Sequence, residues 1–245
     1  QLAEIAKDTI KIYTVKEYNI NNIKYAIQVP PKPKIVTQKM IAQLQAQTYT
    51  SKVETKNIDC VAEIISHRGK KIAVLNFANP VTPGGGFLRG AIAQEEAICR
   101  CSNLYQSLYQ CPSYYESHFE NQVYSSHTVI KSTNTMFKNE KFELIEPLEF
   151  TVFTQAAVIA FNADKEKAKK IMQERIEAVC KLIGQQHFDV VVLGAYGCGA
   201  FANDVQNVIE SFKKSITFIN TEQITFAVLD KHKSGLFDQF KKAFE

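Results

Sequence analysis

From Asn57 onward, short apolar runs alternate with amphipathic stretches of helical length, and this alternation restricts the fold more than any other feature of the chain. IDCVAEIISHRG (58–69) reads as an amphipathic helix closed by Gly69. KKIAVLNFAN (70–79) is a continuous apolar run with a polar tip, the pattern of a strand buried on both faces. AQEEAICRCSNLYQSLYQC (93–111) returns to helical spacing, with Ala97, Cys101, Leu104 and Leu108 on one stripe. The cycle repeats with the strand FTVFTQAAVIAF (150–161), the helix ADKEKAKKIMQERIEAVCKLIGQQ (163–186) and the strand opening FDVVVLGAYGCGAF (188–201). A helix over 203–216, the strand ITFAVLD (224–230) and a closing helix over 234–245 complete it. Such alternation predicts an α/β fold, a mostly parallel sheet between two helical layers. Ligands of such sheets sit at the carboxyl ends of strands, and both glycine-rich stretches here follow strands.

Residues 1–50 stand outside this rhythm. Leu2, Ile5, Ala6 and Ile10 share one face of a first helix, and three prolines in IQVPPKPKIVT (27–37) impose extended backbone. Thr37 is placed to cap a helix over 38–47 with Met40, Ile41 and Leu44 on its face. The expectation is an N-terminal helical extension over 1–50 packed on a domain over 51–245.

Composition narrows the function classes. No apolar run approaches the roughly 20 residues that cross a bilayer. Twenty-nine basic against 25 acidic residues give +4, and the nine lysines among residues 1–56 are dispersed, so no direct DNA or RNA binding is expected. The six cysteines form no CxxC pair and the five histidines no HxxH pair, so neither a metal site nor a cofactor is expected. QLAEIAKDT lacks the basic and apolar regions of a secretory signal, and reduced cysteines in a cytoplasmic compartment are the expectation.

Three stretches carry chemistry. Asn79-Pro80-Val81-Thr82-Pro83-Gly84-Gly85-Gly86-Phe87 places three glycines between a strand and a helix. Consecutive glycines weaken regular structure, and their use is close backbone approach, with N–H groups converging on an anion such as a diphosphate. Gly194-Ala195-Tyr196-Gly197-Cys198-Gly199-Ala200-Phe201 lacks the Gly-x-Gly-x-x-Gly order of a dinucleotide fingerprint and fits a phosphate cradle of loop amides better. Between them, Gln94-Glu95-Glu96 opens a helix. Two acids there complement the helix dipole, but beside a bound sugar diphosphate one of them could protonate a leaving oxygen and then activate water. Helical neighbours point about 100° apart, so only one should face the bond being broken. Cys198 has no partner base in view, which argues against a nucleophile.

GGG, seven residues, then QEE resembles the catalytic signature of poly(ADP-ribose) glycohydrolases, which are macrodomain enzymes. LNFANPVTPGGGFLRGAIAQEEAICRCSNLYQSL is similar to the microbial type, LGAYGCGAFANDV resembles its diphosphate loop, and ITFAVLD its last core strand. The resemblance runs over roughly 50–245. It implies a macrodomain-like three-layer fold and metal-independent hydrolysis of the O-glycosidic ribose linkage. The substrate would be poly(ADP-ribose) or an ADP-ribosylated protein, and the product ADP-ribose. It further implies Glu96 as acid/base, Glu95 positioning the scissile ribose, Gln94 orienting the loop and Asn79 on the distal ribose. Gly84, Gly85, Gly86 and Phe87 would wrap the diphosphate and that ribose. Ala195, Tyr196, Gly197, Cys198, Gly199 and Ala200 would close the other side, with Phe201 packed against the ligand. Tyr196 stands where the family commonly has Trp, and residues 124–139 lack its Ser-Pro and Arg-containing phrase. The competing expectations are a hydrolase of mono-ADP-ribosyl groups on side chains and a macrodomain that only binds ADP-ribose. The intact QEE favours an enzyme, because a binding module needs the glycines but not the acids.

Overall fold

The computed structural model describes residues 1–245. Helix α1 (Leu2–Val15) buries Ala6, Thr9 and Tyr13 and stops at Lys16, which turns left-handed at φ 66°. Strands β1 (Glu17–Ile20) and β2 (Ile23–Ala26) follow as a hairpin whose turn residues, Asn21 and Asn22, both have positive φ. Asn tolerates that geometry better than most side chains, which explains the two-residue turn. After the prolines, β3 (Lys34–Val36) pairs antiparallel with the main sheet, and α2 (Gln38–Ala42) begins at Thr37, whose side chain accepts from the Met40 amide. Residues 1–50 are therefore helical only in part. They contribute a hairpin and an edge strand, and the helix expected over 38–47 ends at Ala42.

The alternating region follows the sequence more closely. Strand β4 (Lys52–Lys56), helix α3 (Cys60–Ser66) and strand β5 (Ile72–Ala78) lead to α4 (Gln94–Cys101), α5 (Leu104–Tyr109) and α6 (Pro112–Glu116). The single helix expected over 93–111 breaks at Ser102–Asn103, because Asn103 exchanges hydrogen bonds with Thr135: its amide donates to the Thr135 carbonyl and its side-chain oxygen accepts from the Thr135 amide. Next come β6 (Val129–Lys138), β7 (Leu144–Ala156), α7 (Lys165–Ile183), β8 (Phe188–Leu193), α8 (Val205–Ser215), β9 (Thr221–Ala227) and α9 (Leu236–Phe244).

Seven strands form one sheet in the order β3-β6-β7-β5-β8-β9-β4. The pairings from β7 to β4 are parallel, and only β6 runs against the rest. Unbroken apolar runs are required because both faces are covered. Ala73 and Leu75 of β5 face the core under α7, α8 and α9, while Ile72 and Val74 face the core under α3, α4 and α5. Val191 and Leu193 of β8 divide from Val190 and Val192 in the same way. Helix α1 lies on α4, where the Thr9 hydroxyl donates to the Arg100 carbonyl at 2.6 Å. All six cysteines are free thiols, and no helix is long and apolar enough to cross a membrane.

Candidate active site

The site opens where two central strands part. β5 stays paired with β7 as far as Ala78 but with β8 only as far as Val74, so the side of β5 beyond Val74 loses its ladder partner. Gln94 takes over that role. Its Oε1 accepts from the Phe77 amide at 2.9 Å and its Nε2 donates to the Leu75 carbonyl at 2.8 Å. Both groups belong to the edge that β8 has left. Gln94 thus fastens the first turn of α4 to β5, which is a firmer task than orienting a loop.

Glu95 and Glu96, neighbours on α4, are both buried and point to different partners. Glu95 faces β5: its Oε2 accepts from the Asn79 amide at 2.9 Å and its Oε1 from Asn76 Nδ2 at 3.2 Å. Burial pushes its carboxyl up to about 8, with the Glu96 charge adding to the rise and the donors of Asn79, Asn76 and Gly84 opposing it. Glu96 faces the glycine loop. Its Oε1 accepts from the Gly86 amide at 2.8 Å, while its Oε2 is buried and has no partner in the chain.

The glycine loop is bent around these acids. The Gly86 amide is spent on Glu96, and the Gly85 amide donates to the Thr82 carbonyl at 3.0 Å. The expectation that Gly84, Gly85 and Gly86 wrap a ligand diphosphate is therefore corrected: two of the three amides are engaged within the chain, Gly86 by a carboxylate and Gly85 by a carbonyl, and none of the three residues lines the cavity. Gly85 has φ +57°, and a Cβ there would stand 2.4 Å from Glu96 Oε1, so only glycine lets the carboxylate in. Phe87 is also corrected. It is fully buried against Tyr105, ring centroids 5.1 Å apart, and supports the loop from the core side. Asn79 spends its Oδ1 on the Val81 and Thr82 amides, which leaves its Nδ2 for the cavity it lines.

The second loop keeps several amides free. The amides of Gly199, Ala200 and Phe201 have no acceptor within the chain, and all three residues line the cavity with Ala195 and Gly197. Gly197 has φ +74°, and a Cβ there would meet Asn203 Nδ2 at 2.6 Å. Tyr196 does not reach the cavity: its ring lies on Phe77 and its hydroxyl donates to the Gln155 carbonyl at 3.1 Å. Cys198 turns its thiol toward the Tyr196 carbonyl at 3.8 Å, and burial pushes that thiol up to about 12. Phe201 is half-buried on the wall.

Together these groups enclose about 430 Å³ at the carboxyl edge of the sheet, a size typical of small-molecule sites. Its lining is polar at Asn79, Glu95 and Glu96 and apolar at Ile58, Leu229 and Leu236. Sequence reasoning missed Asn76 and Asp59, the latter capping α3 at the cavity wall. A lone Asn inside an apolar strand was the available signal for Asn76, since an amide is buried only at a cost. Two histidines are buried. His118 is buried between the Pro80 carbonyl (3.0 Å) and the Ser126 hydroxyl (2.7 Å), and His67 lies against Glu63. His187, Asp189 and Glu222 come together at the opposite edge of the sheet, away from the cavity.

The model of the microbial-type PARG (poly(ADP-ribose) glycohydrolase) catalytic domain matches residues 6–139, more than half of the chain. The chain belongs to that family. It is accordingly a glycoside hydrolase that acts on poly(ADP-ribose), with a macrodomain-like fold. The family match takes in the N-terminal helix, hairpin and edge strand, where sequence reading had found no motif. The chain is similar to a mutant of the poly(ADP-ribose) glycohydrolase from Thermomonospora curvata, at 25% identity and TM-score 0.89 over 99% of this chain and 98% of that one. The inhibitor-bound form of the Thermomonospora enzyme, with ADP-HPD, matches at 25% identity and TM-score 0.86 over 99% and 97%. A Deinococcus radiodurans glycohydrolase mutant in complex with ADP-ribose matches at 26% identity and TM-score 0.78 over 87% and 94%. No curated protein sequence matches the chain.

Proposed function

We propose that Glu96 is the acid/base of this hydrolase and that the cavity takes the terminal ADP-ribose of the polymer. One observation carries the assignment: of the four carboxylate oxygens at the start of α4, Glu96 Oε2 alone has no donor, and Glu96 lines the cavity. A proton there has no recipient in the chain, so it is available to the leaving oxygen. Protonated Glu96 gives that proton to the ribose oxygen of the departing chain as the C–O bond breaks and the ring becomes oxocarbenium-like. Water then adds to the same carbon and returns a proton to Glu96, leaving ADP-ribose and a shortened polymer. Glu95, held by two donors, orients the scissile ribose through its hydroxyls.

The free amides of Gly199, Ala200 and Phe201 suit the diphosphate, whose negative charge lies near the developing positive ring and steadies it. Asn79 Nδ2 suits the distal ribose and the apolar lining the base. The ADP-ribose and ADP-HPD complexes of the Deinococcus and Thermomonospora enzymes support this choice of ligand.

Glu96→Gln tests the assignment. The amide keeps size and reach but transfers no proton near neutrality. ADP-ribose release from polymer should fall by about 10²–10⁴, with ADP-ribose affinity within a few-fold of the parent. Release at the parental rate sinks the role of Glu96. Release from mono-ADP-ribosylated protein but not from polymer would instead assign the leaving group to a side chain.

A further inference from the structure

We propose that Asn76 is a positioning residue of the reaction, acting through Glu95. The proposal rests on the reading of Glu95 as the residue that orients the scissile ribose. It starts from the pattern of β5. Ile72, Val74 and Asn76 point to the same face of the sheet, and the first two belong to the apolar core under α3 and α4. The neighbouring strand changes in step. Phe150 and Val152 of β7 join that core, and Thr154 replaces the next apolar residue in direct register with Asn76. Two adjacent strands thus turn polar at one level and on one face, beneath the first turn of α4.

What they meet there is Glu95. Asn76 Nδ2 is shared between Glu95 Oε1 and Thr154 Oγ1, 3.2 Å from each. Asn76 is fully buried, and its Oδ1 has no hydrogen-bond partner. A buried amide with an orphaned oxygen weakens the fold, so stability supplies no reason for this residue. The geometry does. The Asn79 amide holds one oxygen of Glu95, and Asn76 holds the other. A carboxyl gripped at one oxygen turns about its last bond, whereas one gripped at both has its plane fixed.

The test is a cycle between Asn76→Leu and Glu95→Gln in the full chain, with turnover on poly(ADP-ribose), the pH profile and the thermal midpoint measured for each variant. Asn76→Leu should lower kcat by about 10²-fold, the order of a misplaced catalytic group. Its thermal midpoint should change little, since loss of the orphaned oxygen offsets loss of the donor to Glu95 and Thr154. Loss of a donor should also move the Glu95 limb of the pH profile upward. In the Glu95→Gln background, Asn76→Leu should change kcat by less than about threefold, because its target has gone. Should Asn76→Leu aggregate, Asn76→Ala must show the same loss and the same dependence on Glu95. An equal loss in both backgrounds, or parental turnover in Asn76→Leu or Asn76→Ala, overturns the proposal. Parental turnover in Glu95→Gln alone refutes the reading of Glu95, and this proposal with it.

Discussion

Gly85→Ala separates two uses of the glycine loop, as a ligand cradle and as a seat for the catalytic acids. Gly85 has φ +57°, and an alanine held there costs about 1–2 kcal/mol. For a chain of this size that is a fall of about 2–8 °C in the thermal midpoint. The second effect is local. The new Cβ would stand 2.4 Å from Glu96 Oε1 and 3.2 Å from Glu95 Oε2, where ordinary contact begins at 3.4 Å. Glu96 is therefore displaced by about 1 Å, enough to cost about 10²-fold in turnover. Affinity for ADP-ribose should change little, because Gly85 does not line the cavity. Gly69→Ala is the control: it has φ +87° with no atom within 4 Å of the new Cβ, so it carries the backbone cost alone. The assay compares ADP-ribose release, ADP-ribose affinity by calorimetry and thermal midpoint in both variants. If Gly85→Ala turns over like Gly69→Ala at equal loss of stability, the seat hypothesis is wrong. If it instead loses affinity before turnover, the loop is a ligand cradle after all.

Further outcomes follow from the same geometry. Phe201→Ala should weaken ADP-ribose binding by about 1–3 kcal/mol if the ring stacks on the ligand; a lower thermal midpoint at parental affinity would mark it as core. Cys198→Ser should keep parental turnover, because a thiol pushed up to about 12 with no adjacent base is no nucleophile, and a loss beyond about tenfold would reinstate it. Glu95, raised from 4.5 to about 8, holds a proton in the folded state that the unfolded chain has already released, so its contribution is full below 4.5 and is lost as pH rises through 8. Glu95→Gln lacks this loss, so its thermal midpoint relative to the parent should climb between about pH 5 and pH 9; a constant gap would show that the carboxyl is ionised throughout.

The legible part of the fold was the part whose cause is local or periodic. β5 and β8 are apolar on both faces and announce themselves as unbroken runs. β6 does not, because its polar residues are satisfied by partners far along the chain. Asn134 donates to Ser107 at 2.8 Å, and the buried Lys138 pairs with Asp8 of α1 at 2.6 Å. Read without those partners, VIKSTNTMFK has no clear period, and the strand was lost with it. The aromatic residues of the loops failed for a related reason. Phe87 and Tyr196 sit beside glycines, which suggested contact with a ligand, yet their contacts are Tyr105, Phe77 and Gln155.

The signature itself was readable as a pattern before its physical content could be. Gly86 and Glu96 are ten residues apart and joined by a 2.8 Å hydrogen bond, so the seven-residue spacer must reverse the chain and deliver α4 at one distance. It does so with a short 3-10 turn over Phe87–Arg89 and a left-handed Gly90, while the Ala91 amide closes back on the Gly86 carbonyl at 3.1 Å. Gly86 thereby accepts at its carbonyl from the spacer and donates at its amide to the acid. The spacing between GGG and QEE thus states an intramolecular contact, made without any ligand. The residue that meets ligand phosphate need not be the glycine nearest the acids. On the reading proposed for the cavity, that role belongs to the second loop, where the amides of Gly199, Ala200 and Phe201 have no acceptor in the chain. A carboxylate and a phosphate cannot share one set of donors, and on that reading the division between the two loops gives the acids and the diphosphate separate amides.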